Sequence, residues 1–323
     1  MRQKLSRREF MAVSSAAAGT VTFGSSAFPL SAQPQAGGFK GSLCFFSKHL
    51  ATMDWKRLAR SVRQAGFDGV DLTVRKRGHV LPENAAADLP QAVAAIREQD
   101  IQVPMITTEL LSAGDPTARR ILVTAGKLSI PMFKPGYYKY DFKDIRRELE
   151  RAGNEFRKLA DLGKQCGVQV GYHNHAGYLG APVWDIASVM ESLDPKWAGY
   201  YFDVRHAVVE GGDAGWRIAA KLVAERLKMI AVKDFYWDKV AGQGWQQINC
   251  PLGQGMVNWK AYFRELAGAG FHGPVSLHIE YPVPGTTDAV IEENTLAAAV
   301  RDLQFLRSGL REAYATARPA TSV

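Results

Sequence analysis

VQVGYHNH, residues 168–175, decides how this chain folds. It alternates as a strand does. Val168, Val170 and Tyr172 fall on one face, and Gln169, His173 and His175 on the other. The apolar face suits packing against helices. The opposite face ends in two imidazoles, with Asn174 between them pointing the other way. Paired histidines suit a metal, an anionic substrate or proton transfer, and suit an apolar core badly.

The same kind of segment recurs on both sides of it. Short apolar runs read as strands at GSLCFFS (41–47), FDGVDLTV (67–74), IQVPMITTEL (101–110), IPMFKPGYY (130–138), WAGYYFDV (197–204), MIAVKDF (229–235) and GPVSLHIEY (273–281). Between them lie stretches with apolar residues three and four apart, such as WKRLARSVRQAG and NWKAYFRELAGAG, and a last helix is expected at roughly 294–316. Eight strand–helix units in about 280 residues predict an α/β protein that is a single (β/α)8 TIM barrel. A doubly wound open sheet would carry a Gly-rich phosphate loop after its first strand, and GSLCFFSKHL has none.

In a barrel the apolar alternate residues face the helices, so the register of each strand can be read directly. In GPVSLHIEY, Val275, Leu277 and Ile279 face the helices, leaving Ser276, His278 and Glu280 inside. The same rule sends Asp71, His173, His175, Asp203 and Lys233 inward, with Glu109 beside them. Ionisable groups converging at the carboxyl ends of barrel strands sit where barrel enzymes do chemistry. Any one of them alone could be a satisfied structural group. Seven from five strands are too many to bury without a purpose, because unpaired buried charge is costly.

Composition agrees with a globular protein: 46% hydrophobic and 22% charged among 323 residues. Cys44, Cys166 and Cys250 form neither a disulfide framework nor a CxxC metal site. The chain opens with a basic region, an Ala-rich and weakly apolar run, and then small residues and prolines. SRREFM (6–11) resembles the twin-arginine export signature, which implies a folded protein carried out of a bacterial cytoplasm by that machinery, to the periplasm or beyond. Residues 1–38 are therefore expected to be signal peptide and linker, 39–316 the barrel, and 317–323 a disordered tail. Residues 1–38 hold four Lys/Arg and one Glu, so their removal lowers the formal charge from +8 to +5. That balance, without basic clusters, argues against nucleic acid as a partner. No segment reads as a stable membrane span. An oligomer is compatible with the sequence.

At YHNH (172–175), FDVRHA (202–207), VKDFYW (232–237), PLGQGMVNW (251–259) and HIEY (278–281) the chain resembles the xylose-isomerase-like barrel superfamily of sugar isomerases and epimerases, over residues 39–312. The resemblance implies one divalent metal (Mn, Zn, Co or Mg) held by a Glu, an Asp, a His and a Glu ending strands five to eight. Asp203 and Glu280 match that pattern. His173 stands at the strand-five Glu position and Ala231 at the strand-seven His position. The metal set so implied is His173, Asp203 and Glu280. His206 completes a DxxH pair frequent in the superfamily.

Proton abstraction beside a carbonyl requires a base, an acid and something to hold the enediolate oxygen. Lys233, Glu280 and His173 are the candidate catalytic groups, and Asp71, Glu109, His175, His206 and His278 the candidate substrate contacts. The expected function is an exported, metal-assisted isomerase or epimerase acting on a carbohydrate. A 3-keto-glycoside lyase or hydrolase would use the same apparatus, and Ala231 also allows a non-catalytic sugar-binding derivative. A DNA-repair endonuclease on this barrel would need a richer ligand set and a basic surface, and neither is evident.

Overall fold

The computed structural model describes residues 38–316; the export-signal and tail readings fall on residues outside them. Eight parallel strands close a barrel: β1 (Leu43–Phe46), β2 (Gly69–Val74), β3 (Gln102–Thr108), β4 (Met132–Lys134), β5 (Gln169–His173), β6 (Ala198–Asp203), β7 (Leu227–Val232) and β10 (Val275–Leu277). β10 closes the ring between β7 and β1. Around it run α1 (Trp55–Gln64), α2 (Ala85–Arg97), α3 (Ala118–Lys127), α4 (Ile145–Cys166), α5 (Trp184–Glu191), α6 (Val204–Val223), α7 (Trp259–Gly268) and α8 (Asp288–Thr316). The predicted (β/α)8 barrel is the observed fold.

The helices start where the sequence supplies caps. Asp54 and Asp144 accept hydrogen bonds from the backbone N–H groups of Arg57 and Arg147 at the heads of α1 and α4. Gly167 ends α4 at φ +73°, a left-handed conformation that glycine adopts without strain. Val168, Val170, Tyr172, Ile230, Val232, Val275 and Leu277 all join the core between strands and helices, as their alternation predicts. Met105, Tyr201, Met229 and Ala231 form a small second core inside the barrel, and the polar set lies above it.

Two local features differ from the sequence reading. MIAVKDF is not one strand: β7 stops at Val232, and Asp234 opens an antiparallel hairpin, β8 (Asp234–Val240) and β9 (Gly244–Cys250). Asp234 pins it. Its carboxylate accepts from the N–H groups of Phe235, Gly253, Gly255 and Val257 and from the Trp259 indole. The alternation does not reveal the hairpin, because apolar and polar residues are mixed on both of its faces and few of its residues are buried. The second difference is that α6 begins directly after β6, with Asp203 as its cap, so His206 stands in a first helical turn. Among the described residues no helix is long and apolar enough to cross a membrane.

Candidate active site

The asparagine of YHNH is a brace. Asn174 Nδ2 donates to the Asp203 carbonyl at 3.0 Å, and its Oδ1 accepts from the Asp203 N–H at 2.7 Å. This pair of bonds fixes the end of β6 against the end of β5. Strand pairing sets Asp203 level with Ala231, and Ala231 level with Ser276. Lys233, His278 and Glu280 follow beyond that layer.

Asp203 is fully buried, and its two oxygens do different work. Oδ1 caps α6 by accepting from the His206 N–H at 3.2 Å. Oδ2 gathers three side chains: Lys233 Nζ at 3.3 Å, His173 Nε2 at 3.3 Å and His206 Nε2 at 3.6 Å. Burial pushes this carboxyl up, but Lys233, His206 and His173 outweigh it and hold the group well below the usual carboxylate range. Lys233 Nζ also lies 3.2 Å from Glu280 Oε2. The lysine thus bridges the two carboxylates, and Lys48 reaches Glu280 Oε1 at 3.3 Å from the rim. Glu280 is likewise held low: burial raises it, and Lys233, His278 and Lys48 lower it further.

The partners fix the histidine protons. A carboxylate only accepts, so neutral His173 donates from Nε2 to Asp203, and its Nδ1 accepts from the Tyr137 hydroxyl at 3.2 Å. His175 donates from Nδ1 to the Ala176 carbonyl at 3.0 Å, which leaves Nε2 as a lone pair. An Arg205 Nη1 donor at 3.1 Å claims Nδ1 of His206, so that ring's proton lies on Nε2, buried and without a hydrogen-bond partner. Burial depresses all three, His173 to about 3 and His175 to about 4, so they are neutral near pH 7.

His278 stacks on Phe46 with ring centroids 4.3 Å apart, and its Nδ1 faces Glu280 Oε1 at 3.7 Å. Its Nε2 touches Tyr201 Oη and Ser276 Oγ, each at 3.2 Å. Both hydroxyls donate to Asp71, at 3.3 Å and 2.8 Å. Asp71 therefore lies one layer deeper than a substrate contact and positions His278 through Tyr201 and Ser276. Glu109 stands apart from the cluster: it is half exposed and lies 3.9 Å from Arg75. Two groups escaped the sequence reading, the partly buried His49 and the buried Lys134. His49 accepts the Ile279 N–H on its Nε2 at 3.1 Å. Lys134, at the end of β4, places its Nζ 3.4 Å from the centre of the Tyr137 ring and makes no ion pair among the described residues. Burial holds Lys134 well below the ordinary lysine value. Its place at the head of KPGYY carried the signal, but a lone lysine reads as exposed.

The structure brings the implied metal set His173, Asp203 and Glu280 together, but around Lys233. His173, Asp203 and His206 offer ligand atoms within 4.8 Å of one another. Yet Arg205 would have to release His206 Nδ1 before that ring could turn a lone pair toward an ion. The strand-seven position contributes only a methyl group, Ala231. A cation fits between the two carboxylates, and Lys233 supplies one. The four-ligand pattern of the superfamily therefore does not fit these side chains as they stand.

The sequence pattern described as "Xylose isomerase-like TIM barrel" matches residues 59–309. Inosose dehydratase of Clostridium tetani is 29% identical over 117 residues, 36% of this chain and 36% of that protein. A second inosose dehydratase, of Lacticaseibacillus casei, is 25% identical over 144 residues, 41% of this chain and 47% of that protein. The chain thus spans less than half the length of these curated relatives. Among solved structures, L-ribulose 3-epimerase superposes with a TM-score of 0.63 at 16% identity, covering 86% of this chain and 99% of that one. A Mycobacterium smegmatis barrel in complex with magnesium gives 0.61 at 17% identity, over 86% and 100%.

Proposed function

Because the chain belongs to the xylose isomerase-like TIM barrel family, we propose that it abstracts a proton next to the carbonyl of a keto-sugar, as an isomerase or epimerase does. The observation that carries this reading is the Lys233 bridge between Asp203 and Glu280. A substrate carbonyl oxygen entering beside Lys233 would take a donor from Nζ. That transfer weakens the ion pair holding Glu280 low, so Glu280 gains basicity as the oxyanion gains its stabiliser. Glu280 then removes the proton, Lys233 holds the developing enediolate oxygen, and His175 Nε2 or the His278 edge stands ready to exchange a proton on the product.

A β-elimination from a keto-glycoside or keto-sugar is the second reading, and one feature favours it. His173, at the place of a second carboxylate base, is pinned from both sides by Tyr137 and Asp203. One carboxylate base suffices for removal and expulsion, whereas inversion at carbon is better served by two. The inosose dehydratases named above are lyases by name. We further read SRREFM as directing export through the twin-arginine pathway to the periplasm; a Lys–Lys replacement of Arg7 and Arg8 is expected to retain the protein in the cytoplasm on cell fractionation.

Incubation with free ketoses and 3-keto-sugars in deuterated water tests the chemistry. Deuterium uptake at the carbon beside the carbonyl, lost in Glu280→Gln, is expected. Inverted or shifted product marks the isomerase reading, and an enone with a released group marks the lyase. No exchange and no product from any probe would sink both and leave a sugar-binding protein.

A further inference from the structure

The β8–β9 hairpin has two distinct faces. Cross-strand partners share a face, and the register pairs Phe235 with Asn249, Trp237 with Gln247, and Lys239 with Trp245. This face looks at the head of α6. Arg205 donates from Nη1 to Gln247 Oε1 at 2.7 Å and from Nη2 to Asn249 Oδ1 at 2.8 Å. Its guanidinium lies 4.6 Å from the centre of the Phe235 ring, and Asn249 Nδ2 donates to the Glu280 carbonyl at 3.1 Å. The same Arg205 Nη1 contacts His206. From His206 and Glu280, therefore, a continuous row of side chains leads outward over Arg205, Gln247 and Asn249 to Trp237 and Trp245. The other face, with Tyr236 and Ile248, lines a groove with Tyr281 and Pro282.

Trp237 packs edge-on against Phe235 with centroids 6.1 Å apart and is 38% exposed, and Trp245 is 65% exposed. Two large indoles left in water on a face anchored to a polar site are costly unless something covers them. The register makes them diagonal neighbours across the ladder, a relation that sets residues about 7–8 Å apart and their Cβ atoms somewhat closer, within the span of one six-membered ring. Gln247 and Lys239 supply polar atoms beside them. Apolar ring faces flanked by donors and acceptors match a pyranose or an aryl glycoside.

We propose that this face is an outer subsite in which Trp237 and Trp245 stack on a second ring joined to the reacting sugar. The protein then takes glycosides in preference to free monosaccharides. This rests on the carbohydrate reading above. Calorimetric titration of the purified protein with glucose, cellobiose and phenyl β-glucoside tests it, and the last two probes separate a second sugar from an aryl group.

Two-ring probes are expected to bind at least about tenfold tighter than glucose, a difference of about 1.4 kcal/mol. Trp237→Ala and Trp245→Ala should each remove most of that preference at unchanged melting temperature, and Trp237→Phe should keep part of it. Equal affinity for one- and two-ring probes, or an undiminished preference in both alanine variants, would overturn the proposal. So would a change of self-association in Trp245→Ala without any change in sugar binding, which would make the face an interface between copies. Absence of binding by all three probes rejects this inference together with the carbohydrate reading. The deuterium experiment reads only the reacting ring, so exchange without two-ring preference defeats the subsite alone. Preference without exchange defeats the catalytic reading alone.

Discussion

Lys233 Nζ and Asp203 Oδ2 stand 3.3 Å apart with both side chains almost sealed from solvent. A buried ion pair of this kind adds little over a hydrophobic pair, yet breaking it strands a charge. Lys233→Met is therefore expected to destabilise the fold by about 3–5 kcal/mol in urea unfolding. The double variant Lys233→Met/Asp203→Asn should recover part of the loss. If the single variant unfolds within about 0.5 kcal/mol of the wild type, the range of ordinary surface changes, Asp203 does not depend on this lysine.

The same lysine would compete with a divalent ion for the same oxygens. Removing it leaves Asp203 and Glu280 facing each other beside His173. Manganese or zinc affinity, measured by calorimetry, should rise at least about tenfold in Lys233→Ala, which corresponds to about 1.4 kcal/mol. Asp203→Asn should lower it. Identical affinities in all three proteins would place the ion elsewhere.

His49 makes stability depend on pH. Burial is the largest cause that lowers its proton affinity, from 6.5 to about 3. The folded state thus resists a proton that the unfolded chain binds below 6.5. The stability attached to neutral His49 is present above pH 6.5 and is lost as pH falls toward 3, at up to about 1.4 kcal/mol per pH unit. Protonation would also turn an N–H toward the Ile279 N–H that Nε2 now accepts. His49→Gln, which can keep an acceptor there, should lessen the slope of the stability profile between pH 6.5 and 4, the depressed His173, His175 and His206 supplying the remainder. An unchanged slope would assign it to other groups.

Asp234 holds the hairpin base through five accepted hydrogen bonds. Asp234→Ala leaves several buried donors without a partner, at about 1–3 kcal/mol each. A loss of roughly 3 kcal/mol or more is expected, with faster amide exchange at Gly253, Gly255 and Val257. Slow exchange preserved at all three would mean that the loop is held by its own packing.

Much of the barrel is legible in the chain because apolar alternation is a local property. Val168, Val170 and Tyr172 announce their face whatever surrounds them, and the inward set follows by elimination. Glu109 shows where this stops. It directly follows β3, as Glu280 follows β10 by three residues, yet it emerges half exposed beside Arg75, because rim height is set by where each strand leaves the barrel. The hairpin was illegible for a related reason: its order comes from Asp234 and Arg205, not from a buried stripe.

The sequence by itself determined the closed barrel, the helices that wrap it and the inward side of strands such as β5, since these follow from residue spacing within single segments. Only the tertiary structure decided which of those groups meet. Lys233 finds Glu280 across 47 residues and Tyr201 finds His278 across 77, and closure alone sets those distances. Charge state, proton position and the bridging of two carboxylates by one ammonium depend on separations of a few ångströms. No local pattern encodes them.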